Sequence, residues 1–359
     1  MAARLSVIVP TRNRGALLAD AVRSIAPQAL ADGAAEVLIV DNASTDDTSR
    51  VAEALQRELP GVRALRGDDP GLLAGRHRGA AEARGDLLVY VDDDVIAPAG
   101  WLAAYRAAFA DPTVGVACGP CLPQWEGTVP WWVELFRQEA PGGWSIWPLS
   151  LIDCGAEPRD VPQSCVYGCN LAVRREVLRR CGGFHPDAVP REATAFRGDG
   201  ESALSAAVAA AGFRLRYTPA GGVRHRVPPG RLSPGYFLWR SFCQGVSRSY
   251  TALRRGQGLG GPGEDAPPAS PPSVPARALR LLEGLARQGP ARWLLARRVL
   301  ADFAAAGDAG ERWHREAVAR DAVLRAWVVR PHYLDDSRLP GPTGPVLQFK
   351  PAPSRGWED

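Results

Sequence analysis

The sequence predicts an α/β fold with a mostly parallel central sheet flanked by helices. Two observations carry that expectation. Short apolar runs alternate with helically spaced segments from Leu5 to Val91, at intervals suited to a parallel sheet covered on both faces. Three of the runs also lead into polar groups: Pro10-Thr11-Arg12-Asn13, Asp41-Asn42 and Asp92-Asp93-Asp94. Ligands in such sheets bind beyond the carboxyl ends of the strands, so one cleft would gather all three groups.

Leu5 to Val9 reads as the first strand, stopped by Pro10. Gly15 to Ile25 follows as a helix, with Leu17, Leu18, Val22 and Ile25 at helical spacing. Val37 to Val40 is a second strand ending at Asp41. The turn from Asn42 to Thr48 caps a helix that runs through Val51, Leu55 and Leu59 to Pro60-Gly61. Val62 to Arg66 is a third strand and Gly71 to Glu82 a third helix. Gly85-Asp86 then turns into the strand Leu87–Val91.

The aspartate triplet at the end of that strand is the strongest chemical signal. Crowded carboxylates repel one another unless a positive charge sits among them. Oxygen ligands of this kind suit Mg²⁺ or Mn²⁺ better than zinc. A solvated turn with a helix cap is the plainer alternative for the triplet alone. No Gly-x-Gly-x-x-Gly follows the first strand and no Walker lysine motif is present, which argues against a dinucleotide dehydrogenase or a P-loop enzyme. A different nucleotide ligand fits better. Asp41 can accept from a base or ribose, and Arg12 or Arg76 can offset phosphate charge.

Composition narrows the classes further. The 359 residues are enough for a full core and an appendage, and a net charge of +4, spread along the chain, gives no reason to expect nucleic acid. The amino-terminal stretch lacks a signal-peptide layout, and no run approaches the roughly twenty apolar residues of a membrane span, so cytoplasm is the default expectation. Cys154, Cys165, Cys169 and Cys181 lack the paired knuckles of a structural zinc site, and the Cys118/Cys121 pair has no redox-fold context. Buried thiols are expected.

The segments VIVPTRNR, VLIVDNASTDDT and GLLAGRHRGAAEARGDLLVYVDDDV together resemble the core of the family 2 glycosyltransferases, over residues 4 to about 225. That resemblance implies a GT-A type nucleotide-diphospho-sugar transferase fold. It implies that Pro10, Thr11, Arg12, Asn13 and Asp41 hold the nucleoside and that Gly71 and Arg76 line the base and diphosphate. The Asp-x-Asp pattern falls on Asp92 and Asp94, with Asp94 the more direct metal ligand and Asp93 near the ribose or sugar. Where the family often has Arg-Asn-x-Gly, this chain has Arg76-His77-Arg78-Gly79, which leaves His77 open between packing, capping and donor contact.

In the second half, Trp101, Tyr105 and Phe109 form a helical stripe read as core, and Val114–Ala117 reads as a strand. Trp125, Trp131, Trp132, Trp144 and Trp147 lie in an aperiodic stretch, residues 122–150, that either lines a sugar site or forms a satellite hydrophobic cluster. GCNLAVRR and the following Gly182-Gly183-Phe184 are similar to the family's segment beside sugar and acceptor. By the same resemblance Glu201 takes the general-base position, with Asp199 as its rival, since the family usually carries Glu-Asp-x-x-Leu here. His225 resembles a further metal ligand or diphosphate contact, and the helix-like stretch Tyr236–Tyr250 would present Arg240 to the diphosphate. Residues 256–277 are Gly/Pro-rich and read as a flexible linker. Leu279–Leu300 and Glu311–Val329 read as helices with an apolar side at Leu281, Leu282, Leu285, Trp293 and Leu294. They either pack back on the enzyme, the simpler case, or form a peripheral foot on a membrane face.

The expected organisation is therefore a catalytic domain over residues 1–255, with a donor half at 1–117 and an acceptor half at 118–255. A linker at 256–277 and a helical extension and tail at 278–359 follow. The expected activity is inverting sugar transfer from a nucleoside-diphosphate sugar (uridine, guanosine or thymidine) to a hydroxyl or amine of a small-molecule or glycan acceptor, with Mn²⁺ or Mg²⁺ and a carboxylate base. The competing readings are a metal-dependent nucleotidyltransferase, which would want a Gly-rich, lysine-bearing first loop, and a non-catalytic carbohydrate-binding homologue.

Overall fold

The computed structural model describes residues 4–259, 274–340 and Trp357, with the backbone alone for Asp32 and residues 274–288. The chain opens as the periodicity requires: β1 (Leu5–Thr11), α1 (Gly15–Asp32), β2 (Ala35–Asn42), α2 (Thr48–Glu58), β3 (Val62–Gly67), α3 (Leu72–Glu82) and β4 (Leu87–Val91). Helix α1 runs past the expected stop at Ile25, with Pro27 inside it. Ala26 and Ala29 continue the buried stripe of Val22 and Ile25, and Gly33 in the left-handed region (φ 68) ends the helix instead.

The remaining elements are β5 (Val95–Ile96), α4 (Trp101–Ala108), β6 (Val114–Cys118), β7 (Cys121–Trp125), β8 (Gln138–Ala140), β9 (Gly143–Ile146), β10 (Leu151–Asp153) and β11 (Arg159–Asp160). After them come β12 (Asn170–Arg174), α5 (Arg175–Arg180), α6 (Glu201–Ala210), β13 (Arg214–Tyr217), β14 (Val223–Val227), α7 (Pro234–Arg255), α8 (Val274–Arg320) and α9 (Ala322–Val328).

The main sheet has the order β11-β13-β6-β12-β4-β1-β2-β3. It is parallel across β4-β1-β2-β3, and β12 is inserted antiparallel between β4 and β6. Every residue of β1 and β4 is buried, which explains their unbroken apolar runs. The α4 stripe packs as expected: Trp101 Nε1 and Tyr105 Oη both donate to Asn170 Oδ1 of β12, at 3.0 and 2.7 Å.

A second sheet, β5-β14-β7-β10-β9-β8, was not legible beforehand. Strands β8, β9 and β10 are too short to display alternation, so residues 122–150 read as a loop. Most of its tryptophans belong to a hydrophobic cluster rather than an open surface. Trp132 is buried among Phe136, Phe237 and Trp357, with Trp131 and Trp144 partly buried against them and Trp147 half-buried beside Phe303. Trp125 is 38% exposed.

The C-terminal helices pack onto the preceding domain. Helix α8 is interrupted at Gly289 and then continuous to Arg320, so residues 301–310, read as a gap, are helical. Gly307 and Gly310 weaken helix propensity but let α7 approach closely. A Cβ on Gly245 would lie 1.9 Å from Gly307 O, and one on Gly310 would lie 2.1 Å from Phe242 O. Val318, Leu324, Trp327, Val328 and Tyr333 enter the same core as β1 and β4. Most of the 256–277 stretch, and the side chains of Leu281, Leu282 and Leu285, lie outside the described residues. Among the described residues no helix is long and apolar enough to cross a membrane.

Candidate active site

The ends of β1, β2 and β4 are stitched into one cleft. Asn13, in the left-handed region (φ 55), donates its backbone N–H to Ser44 Oγ at 3.0 Å and accepts from Thr45 N at 2.8 Å. Asparagine tolerates that backbone better than most residues. Asp41 is buried and accepts from Ser44 N at 3.1 Å and from Ser49 Oγ. Thr11 Oγ1 donates to Asp93 Oδ2 at 2.7 Å. Pro10 meets α3 at Gly75, where a Cβ would stand 3.1 Å from Pro10 Cβ. Arg12 is half-buried and its Nε has no hydrogen-bond partner among the described residues. Gly71 caps α3 at φ 123, a conformation that favours glycine, and faces Leu339 of the C-terminal segment.

The positive charge among the three aspartates is supplied in this molecule by two arginines. Arg14 Nη1 donates to Asp93 Oδ1 at 2.9 Å and to Asp94 Oδ2 at 3.0 Å. Arg231 Nη2 donates to Asp94 Oδ2 at 2.6 Å, and its Nη1 to His225 Nε2 at 2.9 Å. The register of β14 against β5 pairs His225 with Val95, which brings the imidazole beside Asp94. Burial and the neighbouring Asp94 raise Asp92, and burial pushes Asp93 up to about 6 against the pull of Arg14. Burial opposes ionisation of Asp94 as well, but the Arg231 and Arg14 guanidiniums beside it overcome that and hold this carboxyl below the usual range.

A divalent metal fits this donor set. Asp94 Oδ1 is buried with no hydrogen-bond partner and stands 3.2 Å from His225 Nε2. Because Arg231 always donates, Nε2 bears a lone pair, so two electron-pair donors face each other without a proton between them. Among the described residues no three His, Cys, Asp or Glu side chains form a complete cage, so the pair would be completed by ligand oxygens or water.

Across the cleft stands Glu201, the first residue of α6. Gly168 N donates to its Oε1 at 3.0 Å, and Arg76 Nη1 lies 3.8 Å from its Oε2. Arg76 is buried, donates to Gly168 O at 2.9 Å and lies 4.9 Å over the Phe184 ring. Burial, then Asp187, pushes the Glu201 carboxyl above its ordinary value. Asp199 differs: it accepts from Thr251 Oγ1 at 2.9 Å and meets His185 Nδ1 at 2.8 Å. Those contacts hold its carboxyl low despite burial. Arg240 sits 6.0 Å over the Trp147 ring rather than on the aspartates.

His77 is part of the packing. Its Nε2 accepts from Phe184 N at 2.9 Å, and its Nδ1 meets Ser337 Oγ at 2.6 Å and Tyr333 O at 3.1 Å. The ring is thus neutral with the proton on Nδ1, and burial lowers it to about 3. Of the four thiols Cys154, Cys165, Cys169 and Cys181, Cys169 Sγ lies 3.2 Å from Cys121 Sγ and Cys154 shares a hydrogen bond with Cys165, all of them free thiols. Arg14 and Arg231 were missed as site residues. Arg14 had a signal, its place one residue beyond Asn13 in the same strand-end loop. Arg231 had none, since only the fold of residues 228–232 carries it back to Asp94.

Residues 6–182 match the family model described as Glycosyl transferase family 2. The uncharacterized glycosyltransferase YfnE of Bacillus subtilis is 29% identical over 136 residues, 38% of this chain and 34% of that protein. A GalNAc(5)-diNAcBac-PP-undecaprenol beta-1,3-glucosyltransferase of Campylobacter jejuni is 34% identical over 93 residues, 25% of this chain and 29% of that protein. The chain thus spans about a third of the length of these curated relatives. In fold it is similar to the mannosyltransferase PcManGT from Pyrobaculum calidifontis, solved in complex with GDP-Man and Mn²⁺. The TM-score is 0.51 at 24% identity, over 93% of this chain and 86% of that one. With its central sheet, its strand-end carboxylates and this match, the chain belongs to glycosyl transferase family 2.

Proposed function

We propose that the protein is an inverting glycosyltransferase, moving a sugar from a nucleoside-diphosphate sugar to a hydroxyl or amine acceptor. Residues 1–255 form its catalytic domain. The observation that supports this most is the contrast between two carboxylates. Glu201 is raised by burial, borders the cleft and keeps one weakly held oxygen, whereas Asp199 has both oxygens committed. A base whose affinity for protons lies nearer neutrality is the better general base.

In the reaction Glu201 takes the proton from the acceptor hydroxyl. The acceptor oxygen then bonds to the anomeric carbon while the bond from that carbon to the diphosphate oxygen breaks, the electron pair leaving with the diphosphate. Attack on the opposite face inverts the configuration. Arg76 holds Glu201 and the Gly168 carbonyl in place, and Arg14 and Arg231 bring positive charge to the side from which the diphosphate leaves. Pro10–Asn13, Asp41 and Gly71 frame the nucleoside. Asp94 and His225, with Asp92 beside them, would hold Mn²⁺ or Mg²⁺, which when bound supplies further positive charge at the leaving diphosphate.

The test is release of nucleoside diphosphate from a panel of uridine, guanosine and thymidine diphosphate sugars, with Mn²⁺ and without. Metal-dependent release from sugars of one base is the expected result. Absence of nucleotide binding across the panel would overturn the reading.

A further inference from the structure

We propose that the acceptor carries an anionic group, a phosphate or a carboxylate, bound by Arg240 against the face of Trp147 beside Glu201. The inference rests on the reading of Glu201 as the base and adds the chemical class of the molecule it deprotonates.

The surroundings of Glu201 can be traced outward by contact. Gly168 N holds the carboxylate at 3.0 Å, and the next residue, Cys169, donates its Sγ–H to Ser150 O at 3.8 Å. The short 3₁₀ turn Trp147–Leu149 immediately precedes Ser150, and the half-buried Trp147 ring lies between Phe303, at 5.7 Å, and Arg240. On the other side Asp187 seats against Gly200, the residue before Glu201; a Cβ on Gly200 would lie 2.9 Å from Asp187 Cβ.

The charges in this region do not balance internally. Arg76 is spent on Glu201 and the Gly168 carbonyl. Asp187 is spent on Arg197, at 2.5 Å. Arg240 is left over: among the described residues no hydrogen bond or ion pair holds it, its Nε is buried without a partner, and its guanidinium lies 6.0 Å over the Trp147 ring. Its field reaches Asp187 and helps to keep that carboxyl low, which sets it on this side of the cleft. Arg197 Nε is likewise buried and unpartnered.

A guanidinium cannot shed its proton, and a partly buried one without a partner is costly. The forked donors of arginine match the oxygens of phosphate and carboxylate, and the indole face adds apolar contact for the body of the ligand. The donor diphosphate is the other anion that could claim Arg240. The aspartate side of the cleft already has Arg14 and Arg231 for that purpose, and no described contact joins Arg240 to that cluster.

The experiment uses the full chain with Mn²⁺ and a saturating nucleoside diphosphate, so that the donor site is filled. Inorganic phosphate, acetate and citronellyl phosphate are then titrated while tryptophan fluorescence is followed, for wild type, Arg240→Gln and Arg240→Lys. Saturable binding of phosphate or acetate is expected, at least tenfold weaker in R240Q and largely restored in R240K. Tighter binding of phosphate than acetate marks a phosphorylated acceptor, the reverse a carboxylate sugar, and a further gain with citronellyl phosphate a lipid phosphate. Equal binding by wild type and R240Q, or no saturable binding of any of the three probes, overturns the inference and leaves the glycosyltransferase reading standing. Loss of nucleoside-diphosphate binding in an R240Q protein with wild-type circular dichroism would assign Arg240 to the donor and also overturn it. If wild type binds no nucleoside diphosphate at all, the underlying reading fails and the inference with it.

Discussion

Arg231 donates to Asp94 Oδ2 at 2.6 Å and to His225 Nε2 at 2.9 Å, so one guanidinium bridges the end of β4 and strand β14. It competes with a metal ion for the same two side chains. Arg231→Gln is expected to bind Mn²⁺ more tightly than wild type without nucleotide, as read by electron paramagnetic resonance. It is also expected to bind nucleoside diphosphate about tenfold more weakly, for the loss of one charge-assisted bond. Weaker Mn²⁺ binding would mean that Arg231 supports the ion rather than competing with it.

The pH profile of turnover should report Glu201. Burial raises this carboxyl, so its base form is lost on the acid side at a higher pH than for an ordinary glutamate. Initial rates are expected to rise with pH through an inflection above 4.5, the unperturbed value. An acid limb at or below that value would point to Asp199, which is held low.

Stability should fall in mild acid because two histidines are buried neutral. His77 is lowered to about 3 and His314 to about 4, from an ordinary 6.5, burial being the main cause in both. His77 Nε2 accepts from Phe184 N, a bond that requires the neutral ring, while His314 Nε2 donates to Ala195 O and its Nδ1 meets Ser249 Oγ. Below 6.5 the unfolded chain takes up these protons and the folded chain does not. Stability is thus complete above that pH and is lost as pH falls toward the folded values, by up to ~1.4 kcal/mol per unit for each ring. Urea unfolding at pH 7 and pH 5 checks this; an unchanged midpoint would contradict it.

Gly245 is where α7 and α8 touch backbone to backbone, with only 1.9 Å between a notional Cβ and Gly307 O. Gly245→Ala is expected to destabilise the protein by about 1–3 kcal/mol through overpacking, despite alanine's better helix propensity. A thermal midpoint equal to or above wild type would show that the helices separate without penalty.

How much of this could be read from the sequence depends on the range of the interactions. Strands β1, β2 and β4 were legible because they are buried along most of their length, and β3, mostly half-buried, because Pro60-Gly61 sets it off from the helix before it. The strand-end groups followed, since parallel topology sends them to one side. Strands β8 and β9 were not legible, being short and held by pairing with neighbouring strands of their sheet rather than by a pattern of their own. Asp199 and Glu201 looked alike in sequence, and only the partners His185 and Thr251 distinguish them. The crowded aspartates called for positive charge, with a divalent cation as its expected source. Of the two arginines that bring positive charge to them, Arg14 stood next to Asn13 in the strand-end loop, whereas nothing pointed to Arg231, 137 residues from Asp94. His77 was undetermined for the same reason, because its partners Tyr333 and Ser337 come from the far end of the chain.

The most direct test is the split between donor binding and turnover in Glu201→Gln. The amide preserves the size of the side chain and an acceptor for Gly168 N but cannot take a proton. With the nucleoside-diphosphate sugar that wild type turns over, E201Q is expected to bind within about twofold of wild type by calorimetry. Its turnover should fall by about 10²–10⁴, the range for loss of a general base. Turnover within a few-fold of wild type, with donor binding intact, would contradict the assignment of Glu201 and the mechanism built on it.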